Sequence, residues 1–583
     1  MKSLSYLNKY FFKYKWRLLL GVIFTVFSNY FAVKMPIYVK ETIDSFMANI
    51  KIQSLDDSLI FSLKIGGIYM LFSFGKGLFL FFMRQTIIVV SRFIEFDLKN
   101  EIYKHYQKLD TGFYKKHSTG DLMNRISEDV SKVRMYLGPG IMYSVNLVVL
   151  SSMVIFQMIQ INSSLTLYVL LPLPIMSFLI YKVSSTMNRL STEVQKEQSM
   201  LSTIAQESFS GIRVLKAYNR EQETNKKFNT STDAYKEKSM KLVLVNALFM
   251  PTILFLIGLS TIISIYVGGT MSFNNEISLG GIVAFIFYVN NLTWPFASIG
   301  WVTSIVQRAS ASQKRINEFL ETKPKISNQN FDDFVFNGEI EFKNVHFTYP
   351  ETNIKAVNNL SFKINKGDVL GVIGKTGSGK STILELLLNK YKIDKGEILL
   401  DKKSIKKVNK IKFFDQCGVV PQEVFLFSDT INNNLLFSSN KNIPSEKIIS
   451  ACKEAKIYEN IMNFPDKMET LLGERGVNLS GGQKQRLSIA RALIRDPKLL
   501  LFDDCLSAVD TETEEAILDN INRKSKERTS IIVSHRISSI RNANHILVID
   551  NGNVIEEGSH QELLSLKGFY SKMYQQQLIE ENR

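Results

Sequence analysis

The sequence predicts a multi-domain chain: an all-α, six-helix transmembrane domain followed by an α/β domain. Three observations carry this reading. Six apolar runs crowd residues 18–305, each close to the roughly 20 residues that cross a bilayer's hydrocarbon core. From about residue 337 the pattern changes to short apolar strands alternating with amphipathic helices. A glycine-rich turn, GKTGSGKS, follows one of those strands and opens a helix. A length of 583 residues suits two large domains better than one.

The candidate spans are residues 18–39, 59–82, 140–160, 165–183, 242–268 and 279–305. Lys34, Lys64 and Lys76 interrupt the first two. Charge in hydrocarbon is costly, so these lysines should face a water-filled cavity or reach an edge. The segments 84–139 and 184–241 are long and rich in Lys and Arg, whereas 41–58, 161–164 and 269–278 are short, with Lys51 their only basic residue. The positive-inside rule then puts the long loops and both ends of the chain in the cytosol. The long loops also carry helical patterning, so the spans should continue into the cytosol, turning near 112–122 and 207–221. The basic N-terminus precedes an apolar run, but no small-residue cleavage site follows, which favours a membrane helix over a removable signal. A net charge of +16 fits Lys and Arg facing an anionic inner leaflet, so membrane lipid is the expected partner and nucleic acid is not. The three cysteines, Cys417, Cys452 and Cys505, form no CxxC pair, which fits a reducing compartment without a disulfide framework or zinc site.

The expected division is a transmembrane domain over 1–320, a polar linker over 321–336 carrying Pro324, and an α/β domain over 337–583. The strongest chemical signal is VLGVIGKTGSGKST, residues 369–382. Gly374, Lys375, Thr376, Gly377, Ser378 and Gly379 form a loop whose glycines let backbone N–H groups turn toward phosphate oxygens, and the helix N-terminus adds partial positive charge. Lys380 can reach β- and γ-phosphates, Ser381 can ligand Mg²⁺, and Thr382 closes the motif. KLLLFDD, 498–504, reads as a buried parallel strand ending in Asp503 and Asp504, with Asp503 placed to hold Mg²⁺. NLSGGQKQRLSIARAL, 478–493, reads as a second helix N-terminus able to grip phosphate.

LSGGQ downstream of a P-loop, followed by the Asp pair, SAVD and a late histidine, resembles the ATP-binding cassette (ABC) family, and the first half resembles that family's exporters, so that the resemblance covers the whole chain. GGTMSFNNEISLGGIVAF, 268–285, is similar to the hairpin joining the exporters' last two spans, and GERG, 473–476, to their loop that touches the coupling helices. The resemblance implies ATP and Mg²⁺ as cofactors and assigns roles. Tyr349 would stack on adenine, and Gln422 would contact Mg²⁺ and the attacking water. Ser480, Gly481, Gly482 and Gln483 would form the signature that meets ATP held by a partner cassette. Asp510 would lie across that interface, and His535 would contact the γ-phosphate. His105, His117, His346, His545 and His560 match nothing in the pattern and are read as structural.

One position departs from the family. A glutamate usually follows the Mg²⁺ aspartate as the base that orients water, and here it is Asp504, one methylene shorter. A reach about 1 Å too short can cost about 10²-fold in rate. With an intact signature in the same chain, the pattern resembles one subunit of a heterodimer with unlike ATP sites; a homodimer that tolerates aspartate is the alternative. The implied activity is ATP-driven export of a small amphipathic substrate (a drug, lipid or peptide) by one half of a dimer. A non-pumping membrane ATPase, or an importer of the same architecture, is the alternative class. Asn146, Gln157, Asn246, Asn290, Trp294 and Trp301 among the spans suit such a substrate or serve as packing glue.

Overall fold

The computed structural model describes residues 2–49, 55–324, 334–439, 443–523 and 528–581. Residues 325–333 of the expected linker, and Lys51 with its neighbours in the first short loop, lie outside them. The chain forms two compact units, Met1–Lys108 with Ser118–Lys323, and Leu109–His117 with Pro324–Arg583.

The first unit is all helical. Its long elements are α1 (Lys15–Asn49), α2 (Leu55–Tyr106), α4 (Thr119–Ile161), α5 (Ser163–Ser210), α7 (Glu221–Phe273) and α8 (Leu279–Glu321). The short α3 (Thr111–Lys116) and α6 (Ile212–Ala217) stand between them in the chain. All six long helices are long and apolar enough to cross a membrane. α7, at 53 residues, extends about 80 Å, far beyond a hydrocarbon core of roughly 30 Å. The two expected turning points fall at helix breaks, α3 with Ser118 and Gly211 with α6.

α4 is not uniform. It widens into π turns at Arg125–Asp129 and Tyr136–Gly140, the second holding Pro139. Proline lacks the N–H for the regular ladder, and a π turn absorbs the missing bond. The apolar packing centre joins Val33 of α1 to Leu150 and Val154 of α4, Ile253 and Leu256 of α7, and Phe285, Tyr288 and Leu292 of α8. A few polar bonds fix helix register within it. The Tyr288 hydroxyl donates to the Val33 carbonyl at 2.9 Å. Asn29 donates to Asn146 Oδ1 at 3.0 Å, so Asn146 serves helix packing. Asn290 is spent on its own helix, donating to the Ile286 carbonyl at 2.9 Å. Lys64 and Lys76 are exposed, and Lys34 is half-buried with its ammonium 5.9 Å from the Tyr30 ring centroid.

Toward the helix ends away from this apolar centre, Asp129 is 3% exposed. It accepts from Ser312 Oγ at 2.9 Å and from Arg315 Nε at 2.9 Å, with Arg315 Nη2 completing a bidentate pair. A buried carboxylate is tolerated only when its lone pairs are so occupied.

The second unit holds two sheets. β1 (Ile340–Thr348), β2 (Lys355–Ile364), β4 (Lys395–Leu400) and β5 (Lys403–Ser404) make an antiparallel sheet in the order β2-β1-β4-β5. The larger sheet runs β10-β9-β3-β8-β7-β6. Its strands are β3 (Val369–Gly374), β6 (Cys417–Val420), β7 (Leu499–Asp503), β8 (Thr529–Val533), β9 (His545–Asp550) and β10 (Asn553–Gly558), parallel except for the edge strand β10. All six residues of β3 and all five of β8 are buried, as a parallel strand covered on both faces requires. α9 (Lys380–Leu387) packs between the sheets with Ile383, Leu384 and Leu387. A second core collects α10 (Ile431–Leu436), α11 (Ser445–Glu454), α12 (Gly481–Leu493), α13 (Thr511–Arg523) and the start of α14 (Phe569–Glu581). The three cysteines are buried and free.

Replacing Asp129 by alanine removes a charged acceptor from Ser312 and Arg315. It is expected to lower the stability of the helical unit by about 2 kcal/mol, read as a fall in thermal midpoint of the purified chain in detergent. Asp129→Asn, which keeps part of the bonding, should lose less. An unchanged midpoint for Asp129→Ala would show that this buried contact contributes nothing.

Candidate functional site

In the parallel sheet, β3, β7 and β8 are adjacent, so the loops at their C-terminal ends emerge side by side. The loop after β3 is the glycine-rich turn. A Cβ on Gly374 would come within 2.0 Å of the Ile549 carbonyl oxygen, and one on Gly379 within 2.1 Å of that of Ala356. Gly379 also has φ 100°, which glycine adopts without strain. The loop is therefore wedged between β2 and β9, with α9 starting at its end. Lys380 curls back, its ammonium donating to the Gly374 and Lys375 carbonyls, both at 2.8 Å. Burial lowers its pKa from the usual lysine value, while Asp504 and Asp503 act the other way.

Ser381 Oγ donates to Asp503 Oδ1 at 2.7 Å, joining the first turn of α9 to the end of β7. Burial raises the Asp503 pKa and neighbouring Asp504 adds to it, against the Ser381 bond. These two hard oxygens suit a magnesium ion that takes its remaining ligands from water and phosphate. Among the described residues no group of three or more His, Cys, Asp or Glu is arranged to hold a metal alone. Asp504 has φ 47°, and its N–H donates to the Val533 carbonyl of β8 at 2.8 Å. That turn places Asp504 Oδ1 2.7 Å from His535 Nδ1. Tyr349 reaches the same helix: its hydroxyl lies 3.0 Å from Thr382 Oγ1 and donates to Glu385 at 2.9 Å. The segment Leu109–His117 belongs to this unit and sets the Lys115 ammonium 5.3 Å from the Tyr349 ring centroid and 3.5 Å from Glu385. Gln422 is exposed in the loop after β6.

The Ser480–Gln483 turn stands apart. Among the described residues, no hydrogen bond joins it to Gly374–Thr382. Ser480 caps α12, and its side chain and that of Gln483 bond each other's backbone N–H at 3.3 and 3.0 Å, a reciprocal capping box. Gly482 lies against the loop after β7, where a Cβ would come 2.8 Å from the Ala508 carbonyl oxygen. Asp510 caps α13, accepting from the Thr513 N–H at 2.9 Å, and this bond holds its carboxyl below the usual range.

Two residues that sequence reasoning passed over tie these parts together. Gln485, buried in α12, accepts from the Ala508 N–H at 3.0 Å and donates to Ser507 at 3.4 Å, locking the signature helix to the SAVD loop. Arg491, on the same helix, donates to the Phe425 carbonyl at 2.9 Å and to Asn434 at 2.8 and 2.9 Å, fixing the chain that follows Gln422. The five remaining histidines have local partners: Thr322, Phe113, Asn358, Glu557 and Tyr570 for His105, His117, His346, His545 and His560 in turn.

In the helical unit, a cavity of about 720 Å³ opens among α4, α5, α7 and α8. Tyr143, Phe249, Trp294 and Trp301 supply aromatic walls, with Ser184 and Arg308 among the polar groups.

Residues 18–296 match the ABC transporter transmembrane region, and residues 357–507 match the ABC transporter family. The chain is 34% identical over 573 residues to a probable multidrug resistance ABC transporter ATP-binding/permease protein, YheI, of Bacillus subtilis (strain 168), covering 98% of this chain and 97% of that one. It is 34% identical over 485 residues to the multidrug resistance-like ATP-binding protein MdlA of Escherichia coli (strain K12), covering 83% and 82%. It is 31% identical over 489 residues to the ATP-dependent lipid A-core flippase of Photobacterium profundum, covering 83% of each. Its fold is that of a bacterial Atm1-family ABC exporter with ATP bound, at a TM-score of 0.79 and 24% identity over 97% of this chain and 98% of that one. Both halves and the full-length relatives agree: the chain belongs to the ABC transporter family, as a multi-pass membrane protein that couples transport to ATP.

Proposed function

We propose that this chain is one half of a dimeric exporter in the cell membrane, using ATP hydrolysis to move a small amphipathic substrate outward by alternating access. The observation that carries the reading is the separation of the nucleotide motifs into two groups with no hydrogen bond between them among the described residues. One group, around Lys380, Ser381, Asp503, Asp504 and His535, is this chain's own ATP site. The other, Ser480–Gln483 with Asp510, serves the site of a second half-transporter. ATP binding draws the two cassettes together, and hydrolysis releases them.

In the chain's own site, backbone N–H groups of Gly374–Gly379 cradle the phosphates, and Lys380 turns from its carbonyl partners to the β- and γ-oxygens. Ser381, Asp503 and Gln422 would hold Mg²⁺, which when bound would supply positive charge to offset that developing on the phosphoryl group. Tyr349 presents its ring to adenine from beside Thr382. His535 contacts the γ-phosphate, and Asp504, bonded to it, stands where the family has its water-orienting glutamate. The shorter carboxylate favours a heterodimer in which this site turns over slowly and the partner's site, completed by Ser480 and Gly482, turns over fast. The multidrug and lipid names of the relatives, and the aromatic cavity, support an amphipathic substrate and contact with membrane lipid. The basic long loops support a cytosolic location for both termini.

Lys380→Ala should abolish nucleotide crosslinking at this chain's P-loop, since the phosphates lose their main charge partner; unchanged labelling would remove the assignment. For topology, single cysteines Ser118→Cys and Ser210→Cys should resist an impermeant thiol reagent in intact cells, while Asn274→Cys should label, against native cysteines that are all buried. The reverse pattern would invert the orientation. For asymmetry, Ser480→Arg should nearly stop ATP hydrolysis by the complex, whereas Asp504→Asn should leave much of it. The opposite ranking, or full transport by this chain alone, would indicate a homodimer in which Asp504 is the working base.

A further inference from the structure

The C-terminal helix α14 touches both loops that flank this chain's own ATP site. At its start, the Phe569 ring lies under the Lys375 ammonium, 5.5 Å from the ring centroid. Eight residues on, about 12 Å along the helix, the Gln577 carboxamide grips the switch segment. Its Oε1 accepts from the Ile537 N–H at 2.8 Å, and its Nε2 donates to the His535 carbonyl at 2.7 Å. One side chain thus satisfies the backbone on both sides of Arg536, as a neighbouring strand would. The helix itself is firmly seated. Glu556 of β10 accepts from the Phe569 and Tyr570 N–H groups, the latter at 2.9 Å. Tyr570 is fully buried and its hydroxyl meets His560 Nδ1 at 2.7 Å.

The far side of the switch segment is also held. Ser534 Oγ accepts from the Arg536 N–H at 3.0 Å and lies 3.2 Å from Ser539 Oγ, and Ser539 donates to buried Glu514 of α13. The His535 side chain, half exposed, is set on Asp504 by this backbone.

We infer that Gln577 is a positioning residue: it holds the His535 backbone so that the imidazole stays on Asp504 and aimed at the γ-phosphate of ATP in the same chain. The inference rests on the proposed role of His535. α14 is then part of the ATP site without touching nucleotide. Loosening its grip weakens recognition of the γ-phosphate and leaves the α- and β-phosphates on the P-loop unaffected.

ATP and ADP differ only in the phosphate that His535 is assigned to, which makes their ratio the readout. The full-length chain in its dimer is labelled with a photoreactive azido-ATP, and labelling of this chain is competed with ATP or with ADP. Gln577→Ala should raise the ATP needed about three- to tenfold, the range for one lost hydrogen-bonded constraint, and change ADP by less than about twofold. Gln577→Glu keeps the acceptor for Ile537 but cannot donate to His535, and should resemble the alanine variant. His535→Ala should show the same ATP-selective loss, and adding Gln577→Ala to it should change nothing further. Equal weakening of ATP and ADP by Gln577→Ala would mean that the residue only stabilises the fold, and additive losses would mean that it does not act through His535; either overturns the inference. If His535→Ala spares the preference for ATP, the γ-phosphate role fails and the inference falls with it. If His535→Ala lowers that preference and Gln577→Ala does not, only the positioning role fails.

Discussion

The proposed nucleotide site depends on one bond, from Ser381 Oγ to Asp503 Oδ1. It joins the helix that begins at the phosphate loop to the strand end that carries both carboxylates. Neither element could move by about an ångström without breaking it. The parallel pairing of β3 with β8 and of β8 with β7 sets the distance. Full burial of β3 and β8 fixes those strands, because a one-residue slip would carry polar loop atoms into apolar surroundings. The neighbouring turn at Asp504 inherits this precision, and His535 reaches it from the end of β8. Phosphate chemistry is mostly positioning and charge neutralisation, so a rigid sheet edge is the appropriate support.

The signature turn follows a different logic. Ser480 and Gln483 spend their side chains on each other's backbone, which gives a well-capped helix N-terminus. Gln485 and the close approach of Gly482 to Ala508 bind that turn to the SAVD loop, so the two surfaces assigned to a partner cassette move as one piece. Arg491 extends the same rigidity to the segment after Gln422. Burial lowers the Arg491 pKa, and carbonyl and carboxamide partners occupy its donors in place of water.

Much of this was legible in the sequence. Six apolar runs announced the long helices, and GKTGSGKS after an apolar strand announced the tight turn that opens α9, because both signals are periodic or local. The helix breaks near 112–122 and 207–221 were legible from local glycine-containing sequence. The π turns of α4 were not, although Pro139 marked one of them, since a proline in a helical pattern can equally kink the helix or end it. Grouping of Leu109–His117 with the second unit was also hidden, as it rests on contacts such as Lys115 with Glu385, distant in sequence. Gln485, Arg491 and Gln577 were invisible for a further reason. Most of their partners are main-chain groups, which every residue has, so little in the pairing of residue types betrays them. Asn146 could have been read as substrate-binding or as packing, and its bond to Asn29 favours packing.

The most direct test of the central claim is solute movement. Inverted membrane vesicles carrying this chain and its partner should take up a fluorescent amphipathic dye when ATP is added. Uptake should follow ATP hydrolysis and be lost when both P-loop lysines are replaced. Hydrolysis that proceeds at an undiminished rate while no amphipathic dye, lipid or peptide crosses the sealed membrane would contradict it, and would make the chain a membrane ATPase that does not pump.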